Sequence, residues 1–214
     1  MIEAIIFDMD GVISDTQKFH SRVESELLGR FDVNMTPDEI SKKYSGVNTK
    51  QFFIELLDHT EGDYNINALM KEKWEKMKEL ADNSVEEIPG AISLIKTLHE
   101  KKLTLAVASA SNWKYAKSVL EKLEVIRHFS AIITSDMVTK GKPDPEIFLF
   151  AAEKINVEPE KCVVIEDGIS GMEAAKAGNM KCIGLVANKD EHYPTENLVT
   201  LLSEITPEYL RNLK

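Results

Sequence analysis

Two aspartates separated by a single residue stand near the start of the sequence, at Asp8 and Asp10. Residues two apart in an extended chain point to the same side, so these carboxylates share one face. One of them can attack phosphorus as a nucleophile while the other moves protons for the leaving group and for water. A calcium loop is the alternative, but Val12 and Ile13 lack the side-chain oxygens that an EF-hand-type loop needs at alternate positions. Gly11 allows a sharp turn directly after the aspartates, and the spacing favours a reactive pair.

Three further groups of polar residues stand at or shortly after the ends of later apolar runs. Ser109 follows one run, Lys142 comes after another, and Glu166 with Asp167 ends a third. A hydroxyl and an ammonium can hold phosphate oxygens, and the ammonium can also keep a carboxylate such as Asp8 ionised. Glu166 and Asp167, brought beside Asp8, complete an oxygen-ligand set for Mg2+, which prefers one or two carboxylates plus water and phosphate. Together these groups predict phosphoryl transfer.

The same stretches also have structural interpretations, which the sequence leaves open. Ser111 or Asn112 can cap a helix that begins near Trp113, and the N–H groups at that helix start can also bind phosphate. Glu166 and Asp167 can equally form an acidic loop that caps the helix after them. The choice depends on which side chains the fold brings together.

Short apolar runs alternate with amphipathic helical patterns over most of the chain. The runs predict strands over residues 4–7, 103–108, 131–134, 162–165 and 182–186. Helical patterns lie between and beside them, over residues 91–101, 113–123, 145–155 and 169–177. Near-continuous apolar strands that alternate with helices predict an α/β fold with a doubly wound parallel sheet. Because ligands bind beyond the carboxyl ends of such strands, the polar groups named above fall where a site is expected.

One long segment interrupts this alternation with helical patterns alone. They cover residues 17–28, 37–44, 49–59 and 68–81, with a polar, turn-like stretch over 61–67. We therefore predict an α/β catalytic core made of residues 1–15 and 88–214. An inserted, all-helical cap over residues 16–87 would set substrate specificity.

Composition excludes several classes of partner. The 214 residues include 36 acidic and 26 basic side chains, for a net charge of −10. An overall negative field repels nucleic acid and anionic membranes, so neither is expected as a partner. The N-terminal segment lacks the basic region of a signal peptide, and Cys162 and Cys182 lack metal-ligand spacing. We expect a cytoplasmic protein, a monomer or weak dimer, with a small-molecule partner.

The ordered motifs resemble those of a known family. Residues 8–16 (DMDGVISDT) resemble the first motif of the haloacid dehalogenase-like (HAD) hydrolases. Ser109, Lys142 before Pro143-Asp144-Pro145, and Glu166-Asp167 match the second, third and fourth motifs in order. Within the family, the first two motifs look most like those of the β-phosphoglucomutase and sugar-phosphate phosphatase branch. The resemblance implies a Rossmann-like HAD core with a helical cap.

The resemblance also implies a role for each motif residue. Asp8 forms an aspartyl-phosphate, Asp10 is the general acid and base, and Ser109 and Lys142 bind the phosphoryl group. By the same resemblance, Mg2+ is held by Asp8, by the backbone carbonyl of Asp10 and by Asp167, with Glu166 beside it. The dehalogenases lack the second aspartate of the first motif, so Asp10 argues against dehalogenation here.

The cap resembles the mutases less closely. His20 matches a histidine in their first cap helix, and Gly46-Val47 match a pair that an arginine follows in the mutases to grip a second phosphate. This chain has Thr49 at that position, and Lys50 is a poor replacement because a flexible ammonium does not reproduce a bidentate fork. Lys71 or Lys73 could correspond to a cap lysine. His20 could equally be a partly exposed helical residue, and the lysines a solvated face.

These observations define a predicted substrate-binding set and a ranked set of functions. The set comprises His20, Gly46, Val47, Thr49, Lys50 and Lys73 of the cap and Ala110, Ser111 and Asn112 of the core. We predict a Mg2+-dependent phosphatase of a small phosphorylated metabolite, a sugar or polyol phosphate. The alternative is a phosphosugar mutase of the β-phosphoglucomutase kind. An alternative of another class is a non-enzymatic aspartate phospho-acceptor or binding protein, which the inserted helical segment and the complete set of chemical groups disfavour.

Overall fold

The computed structural model describes residues 2–58, 60 and 64–213. The strands are β1 Ala4–Phe7, β2 Thr104–Ser109, β3 Ala131–Thr134, β4 Cys162–Glu166, β5 Lys181–Leu185 and β6 Asn197–Val199. The helices are α1 Gln17–Gly29, α2 Pro37–Tyr44, α3 Thr49–Leu57, α4 Ile66–Ser84, α5 Ala91–Glu100, α6 Trp113–Lys122, α7 Glu146–Lys154, α8 Ile169–Ala177 and α9 Pro207–Arg211. All six strands run parallel in one sheet, in the order β3-β2-β1-β4-β5-β6. This is the predicted doubly wound fold.

The sheet buries both of its faces, which explains why its central strands are apolar throughout. Ile5 and Phe7 pack on one side together with α5 and α6, while Ala4 and Ile6 pack on the other with α7 and α8. The four residues of β1 have no exposed surface. Alternate residues of a strand point to opposite faces, so a strand covered on both sides reads as a continuous apolar run.

The prediction missed β6 at the edge of the sheet. This strand has three residues, pairs with β5 alone, and only Val199 is fully buried. A short edge strand that pairs with one neighbour lacks the apolar run by which the other five strands were predicted. Of those five, β1 and β3 have the predicted bounds, while β2, β4 and β5 differ from theirs by one residue at one or both ends; β2, for instance, extends to Ser109.

The helical segment between β1 and β2 contains α1 to α4 and, among its described residues, no strand. The two chain segments that connect it to the sheet run side by side: the amide of Asp15 donates to Glu86 O at 2.9 Å, and Ile88 N donates to Ile13 O at 2.9 Å. The domain boundaries at 15/16 and 87/88 stay a prediction. The predicted helix over 49–59 ends at Leu57, while His59 and residues 61–63 lie outside the described residues.

Cys162 and Cys182 are both free and buried. Within the described part of the chain, every helix is too short or too polar to cross a bilayer.

Candidate active site

Register in the sheet brings three chain segments to one edge. β1 lies between β2 and β4, and Phe7 pairs with Val107 on one side and with Ile165 on the other. Asp8, the residue just after β1, and Glu166, the last residue of β4, therefore reach the carboxyl edge together. Adjacent parallel strands have carboxyl ends at the same edge, which is where α/β folds bind ligands.

Asp8 and Lys142 form a buried ion pair at this edge. Lys142 Nζ lies 2.5 Å from Asp8 Oδ1, 2.8 Å from Glu166 Oε1 and 3.3 Å from the carbonyl oxygen of Ala108. Burial raises the pKa of Asp8, and the carboxylates of Glu166 and Asp10 add to this rise. Lys142 lowers the pKa by less, so it ends at about 8. The Lys142 ammonium thus offsets only part of the local negative charge.

Glu166 holds Lys142 in place from the opposite side. Its Oε1 accepts from Lys142, and its Oε2 accepts from the amide of Gly168 at 2.6 Å. A Cβ atom on Gly171 would lie 1.7 Å from Oε1, so the helix backbone can approach this carboxylate only because residue 171 is glycine. Through these contacts Glu166 positions Lys142. That Glu166 also belongs to the metal ligands stays a prediction.

Asp10 has a separate set of partners. Thr16 Oγ1 donates to Oδ1 at 2.5 Å, Ser111 Oγ donates to Oδ2 at 2.7 Å, and His20 Nε2 lies 3.2 Å from Oδ1. Ser109 Oγ makes a longer contact, 3.4 Å, with Oδ2. Burial raises the pKa of Asp10, but the His20 ring and the two short hydroxyl bonds outweigh it and lower the pKa to about 2. The two aspartates therefore have opposite environments.

Asp167 and Gly11 show where a cation fits. A Cβ atom on Gly11, whose φ is +91°, would lie 2.2 Å from Asp167 Oδ2, so the first-motif turn and this carboxylate are in close contact. Desolvation raises the pKa of Asp167 well above its usual range, and the charges of Glu166 and Asp8 add to the rise. Two carboxylates that repel each other in this way are stabilised by a divalent cation.

The donor set fits magnesium better than a metal that needs several protein side chains. Among the described residues, no three His, Cys, Asp or Glu side chains are grouped so that they alone could hold a metal ion. Mg2+ is usually bound through one or two carboxylates and keeps its remaining positions for water and substrate phosphate. Asp8 and Asp167 supply two carboxylates of that kind, while the place of the Asp10 backbone carbonyl in the ligand set stays a prediction.

The cap closes a small cavity over this edge. The cavity is about 30 Å³ in volume, and its walls include, of the predicted residues, Asp8, Asp10, His20, Gly46, Val47, Thr49, Lys73, Ala110 and Ser111. That volume accommodates roughly two water molecules, since a water needs about 10–15 Å³ by this measure. A phosphorylated metabolite is larger than this volume.

Two residues of the predicted substrate-binding set, Lys50 and Asn112, do not line the cavity. Lys50 is exposed and lines a separate groove with Lys140. Asn112 caps α6, accepting from the amide of Tyr115 at 2.9 Å. Their sequence neighbours Thr49 and Ser111 do line the cavity. Lys50 and Asn112 stand at the starts of α3 and α6.

Three further residues have contacts that the sequence did not suggest. Thr16 makes no capping bond for α1 and donates its hydroxyl to Asp10 instead. Glu24 is buried, lines the cavity and pairs with Lys73. Gln17 lines the cavity as well. Glu24 follows His20 by four residues, which places both on one helix face, and this spacing was the available signal.

Two aromatic rings hold His20 beside Asp10. The His20 ring packs edge-on against Trp74 of α4, with ring centroids 5.8 Å apart, and against Tyr115 of α6 at 5.7 Å. Trp74 and Tyr115 also contact each other, so cap and core meet at these rings. His20 is accordingly buried, which corrects the interpretation of it as a partly exposed helical residue.

Comparison with known proteins identifies the family. The sequence profile described as haloacid dehalogenase-like hydrolase matches residues 5–185, most of the chain. The chain belongs to the haloacid dehalogenase-like hydrolases. This confirms the resemblance inferred from the four motifs and, with it, the prediction that the protein is a hydrolase.

Relatives of this HAD-like hydrolase include both phosphatases and mutases. A phosphorylated carbohydrates phosphatase of Thermotoga maritima is 32% identical over 85% of the chain and 84% of its own length. A β-phosphoglucomutase of Bacillus subtilis is 30% identical over 98% of the chain and 94% of its own length. The crystal structure of a β-phosphoglucomutase from Clostridium difficile superimposes with a TM-score of 0.89 at 28% identity, covering 99% of this chain and 96% of that one. The predicted branch of the family is confirmed.

Proposed function

We propose that this protein is a Mg2+-dependent phosphatase of a small phosphorylated carbohydrate or polyol that works through an aspartyl-phosphate on Asp8. One observation carries the proposal: a single cavity contains two carboxylates in opposite environments, Asp8 paired with Lys142 and Asp10 bonded to Thr16, Ser111 and His20. Environments that differ in this way suit two carboxylates to different tasks. The phosphatase and mutase relatives support the substrate class.

Each side chain then has a definite task in the reaction. An Asp8 oxygen attacks phosphorus, and the bond from phosphorus to the ester oxygen breaks. Lys142 offsets the negative charge of the nucleophile and of the phosphoryl oxygens, and Ser109 donates its hydroxyl to the phosphoryl group. When bound, Mg2+ supplies the charge that lets an anionic carboxylate approach an anionic phosphate.

Asp10 moves the protons in both halves of this reaction. Because the pKa of Asp10 is lowered to about 2, its carboxylate first takes a proton from the His20 ring, 3.2 Å away, and gives it to the departing ester oxygen. It then removes a proton from the water that attacks phosphorus and releases Asp8. The hydroxyls of Thr16 and Ser111 fix the carboxylate, while His20 lies within reach to exchange a proton with it. We propose that the helical segment over 16–87 acts as the specificity cap, because its residues form one wall of the cavity.

A mutase is the second candidate, favoured by the likeness to β-phosphoglucomutases over nearly the whole chain. In a mutase the aspartyl-phosphate is returned to sugar instead of water. 31P NMR on purified protein, Mg2+ and β-glucose 1-phosphate, with and without a trace of glucose 1,6-bisphosphate, separates the two. Free phosphate and glucose are expected, and a build-up of glucose 6-phosphate without inorganic phosphate makes the protein a mutase.

The proposal itself is tested by a phosphate-release screen over sugar, polyol and nucleoside monophosphates. We expect release from sugar or polyol phosphates with Mg2+ and its loss in EDTA and in Asp8→Asn. Asp8→Asn keeps the size of the side chain but removes the nucleophile, and circular dichroism checks its fold. Turnover by Asp8→Asn at a tenth of the wild-type rate or more would overturn the nucleophile assignment.

A further inference from the structure

The cap wall of the cavity contains a buried ion pair that the proposed reaction does not use. Lys73 Nζ lies 2.5 Å from Glu24 Oε1 and 2.7 Å from Thr49 Oγ1. The side chains of Lys73 and Glu24 are only 1% and 9% exposed. The ammonium also lies 4.9 Å from the centre of the Trp74 ring. Three helices, α1, α3 and α4, thus contribute to one buried polar cluster.

Glu24 changes what Lys73 can bind. An ammonium has three donors, and Glu24 and Thr49 accept from two of them. The Glu24 carboxylate also offsets the charge, so Lys73 and Glu24 together present no net charge to the cavity. A lysine held in this way has lost the free positive charge with which a second phosphate would be gripped.

We propose that Glu24 is a specificity-determining residue that makes the cap wall accept an uncharged, hydroxyl-bearing end of the substrate and reject a second anionic group. The inference rests on the proposed phosphatase function and narrows its substrate class to monophosphate esters of sugars or polyols. Sugar bisphosphates and esters with a distal carboxylate are excluded.

Hydrogen bonding explains the preference for a hydroxyl. A hydroxyl donates one hydrogen bond and accepts others, so it can donate to Glu24 and accept from the remaining Lys73 donor. A phosphate oxygen can only accept, and it would meet the Glu24 carboxylate in a site from which water is largely excluded. Like charges that face each other in a desolvated interface strongly disfavour binding, and this is how binding sites exclude wrong partners.

The Lys73–Glu24 pair also favours phosphatase activity over mutase activity. A mutase must retain a bisphosphorylated intermediate, which needs a cationic contact at the end distal to Asp8. Here the cap cation that lines the cavity is already paired, and Thr49 accepts from it instead of adding a charge. A bisphosphate would therefore leave the cavity before it could be turned over a second time.

The test compares one sugar with and without the second phosphate. Fructose 1-phosphate and fructose 1,6-bisphosphate are assayed for phosphate release with Mg2+, using the wild type, Glu24→Gln and Glu26→Gln. Glu24→Gln keeps an acceptor for Lys73 and removes the charge. Glu26→Gln is the matched control, because it makes the same change on the same helix at an exposed residue whose partner, Lys76, lies 2.8 Å away outside the cavity.

We expect wild-type kcat/KM to favour the monophosphate by at least about tenfold, and Glu24→Gln to reduce this ratio about tenfold or more, chiefly by improving the bisphosphate. Glu26→Gln leaves the ratio at the wild-type value. A folded Glu24→Gln protein with the wild-type ratio overturns the inference. A wild type that uses both esters equally also overturns it, and this second result does not depend on whether the variant folds. Absence of phosphate release from every ester in the wild type instead overturns the proposed function, and the inference with it.

Discussion

Replacing Lys142 with methionine removes the positive charge from the centre of the site and keeps most of the side-chain volume. The ammonium is 1% exposed and uses its three donors on Asp8, Glu166 and the carbonyl of Ala108. Removing one partner from a buried ion pair destabilises a protein by about 3–5 kcal/mol, because a buried charge is left uncompensated. Asp8, whose pKa is raised to about 8, can carry a proton at pH 7, so Lys142→Met leaves Glu166 as the uncompensated carboxylate, and we expect a loss of about 3–5 kcal/mol at pH 7.

Proton uptake limits this loss. At pH 7, keeping a carboxyl group with an ordinary pKa of about 4 protonated costs about 4 kcal/mol, at roughly 1.4 kcal/mol per pH unit. Lys142→Met can fold by binding one proton more than the wild type does. The cost of that proton, about 4 kcal/mol, lies within the expected loss of about 3–5 kcal/mol. A carboxyl whose pKa is raised by folding destabilises the fold less as pH falls towards its unfolded pKa. The deficit of Lys142→Met should therefore shrink by up to about 1.4 kcal/mol for each pH unit between 7 and 5.

Urea unfolding of metal-free wild type and Lys142→Met at pH 5, 6 and 7 measures both effects. Lys140→Met is the matched control, because Lys140 is two residues away but exposed, and its pair with Asp144 spans 3.3 Å. A change within about 0.5 kcal/mol is expected there, as for other exposed charges. A Lys142→Met deficit below about 1 kcal/mol at pH 7, or one that grows on acidification, would refute the reasoning about the buried charge.

The remaining predictions concern the first motif. Asp10→Asn should slow turnover by about 10²–10⁴-fold yet leave Mg2+ affinity largely unchanged, because the backbone carbonyl of residue 10, and not its side chain, is the predicted ligand. The Mg2+-dependent rise in Tm measures the affinity. Loss of Mg2+ affinity with an unchanged rate at saturating Mg2+ would make Asp10 a side-chain ligand instead. Since the pKa of Asp10 is lowered to about 2, its carboxylate stabilises the fold above its unfolded pKa of about 4, and this contribution is lost as pH falls through about 2. The stability deficit of Asp10→Asn should thus be equal at pH 7 and 5 and shrink below about pH 4; a deficit that grows with acid contradicts this. Gly11→Ala should displace Asp167 and weaken Mg2+ binding, and unchanged Mg2+ titration of its activity would show that the close contact is unimportant.

Much of the fold and of the core site could be predicted because each depends on local sequence. Buried strands read as apolar runs, and the chemical groups follow those runs directly, as Asp8 follows Phe7 and Glu166 ends β4. Parallel pairing then brings strand ends to one edge without further information. Lys142 does lie between Asp8 and Glu166, but the pKa of Asp8 is still raised to about 8, so Lys142 alone does not keep that carboxyl ionised as the sequence suggested.

The rest depends on contacts between distant segments. Thr16 reads as a helix cap from its neighbours, and only the position of Asp10 shows that its hydroxyl donates there. Glu24 and Lys73 are 49 residues apart in sequence, and each alone resembles an ordinary solvated helix residue. Strand β6 is short and partly exposed, so its pairing with β5 leaves no apolar pattern.

The central claim is that Asp8 carries the phosphoryl group between substrate and water. Rapid quenching in acid during turnover of fructose 1-phosphate, followed by borohydride reduction and peptide mass spectrometry, tests it most directly. We expect a reduced aspartate at residue 8, its absence without substrate, and its absence in Asp8→Asn. Phosphate release at the full rate without a trapped Asp8, or with the label at another residue, would show that Asp8 is not the nucleophile.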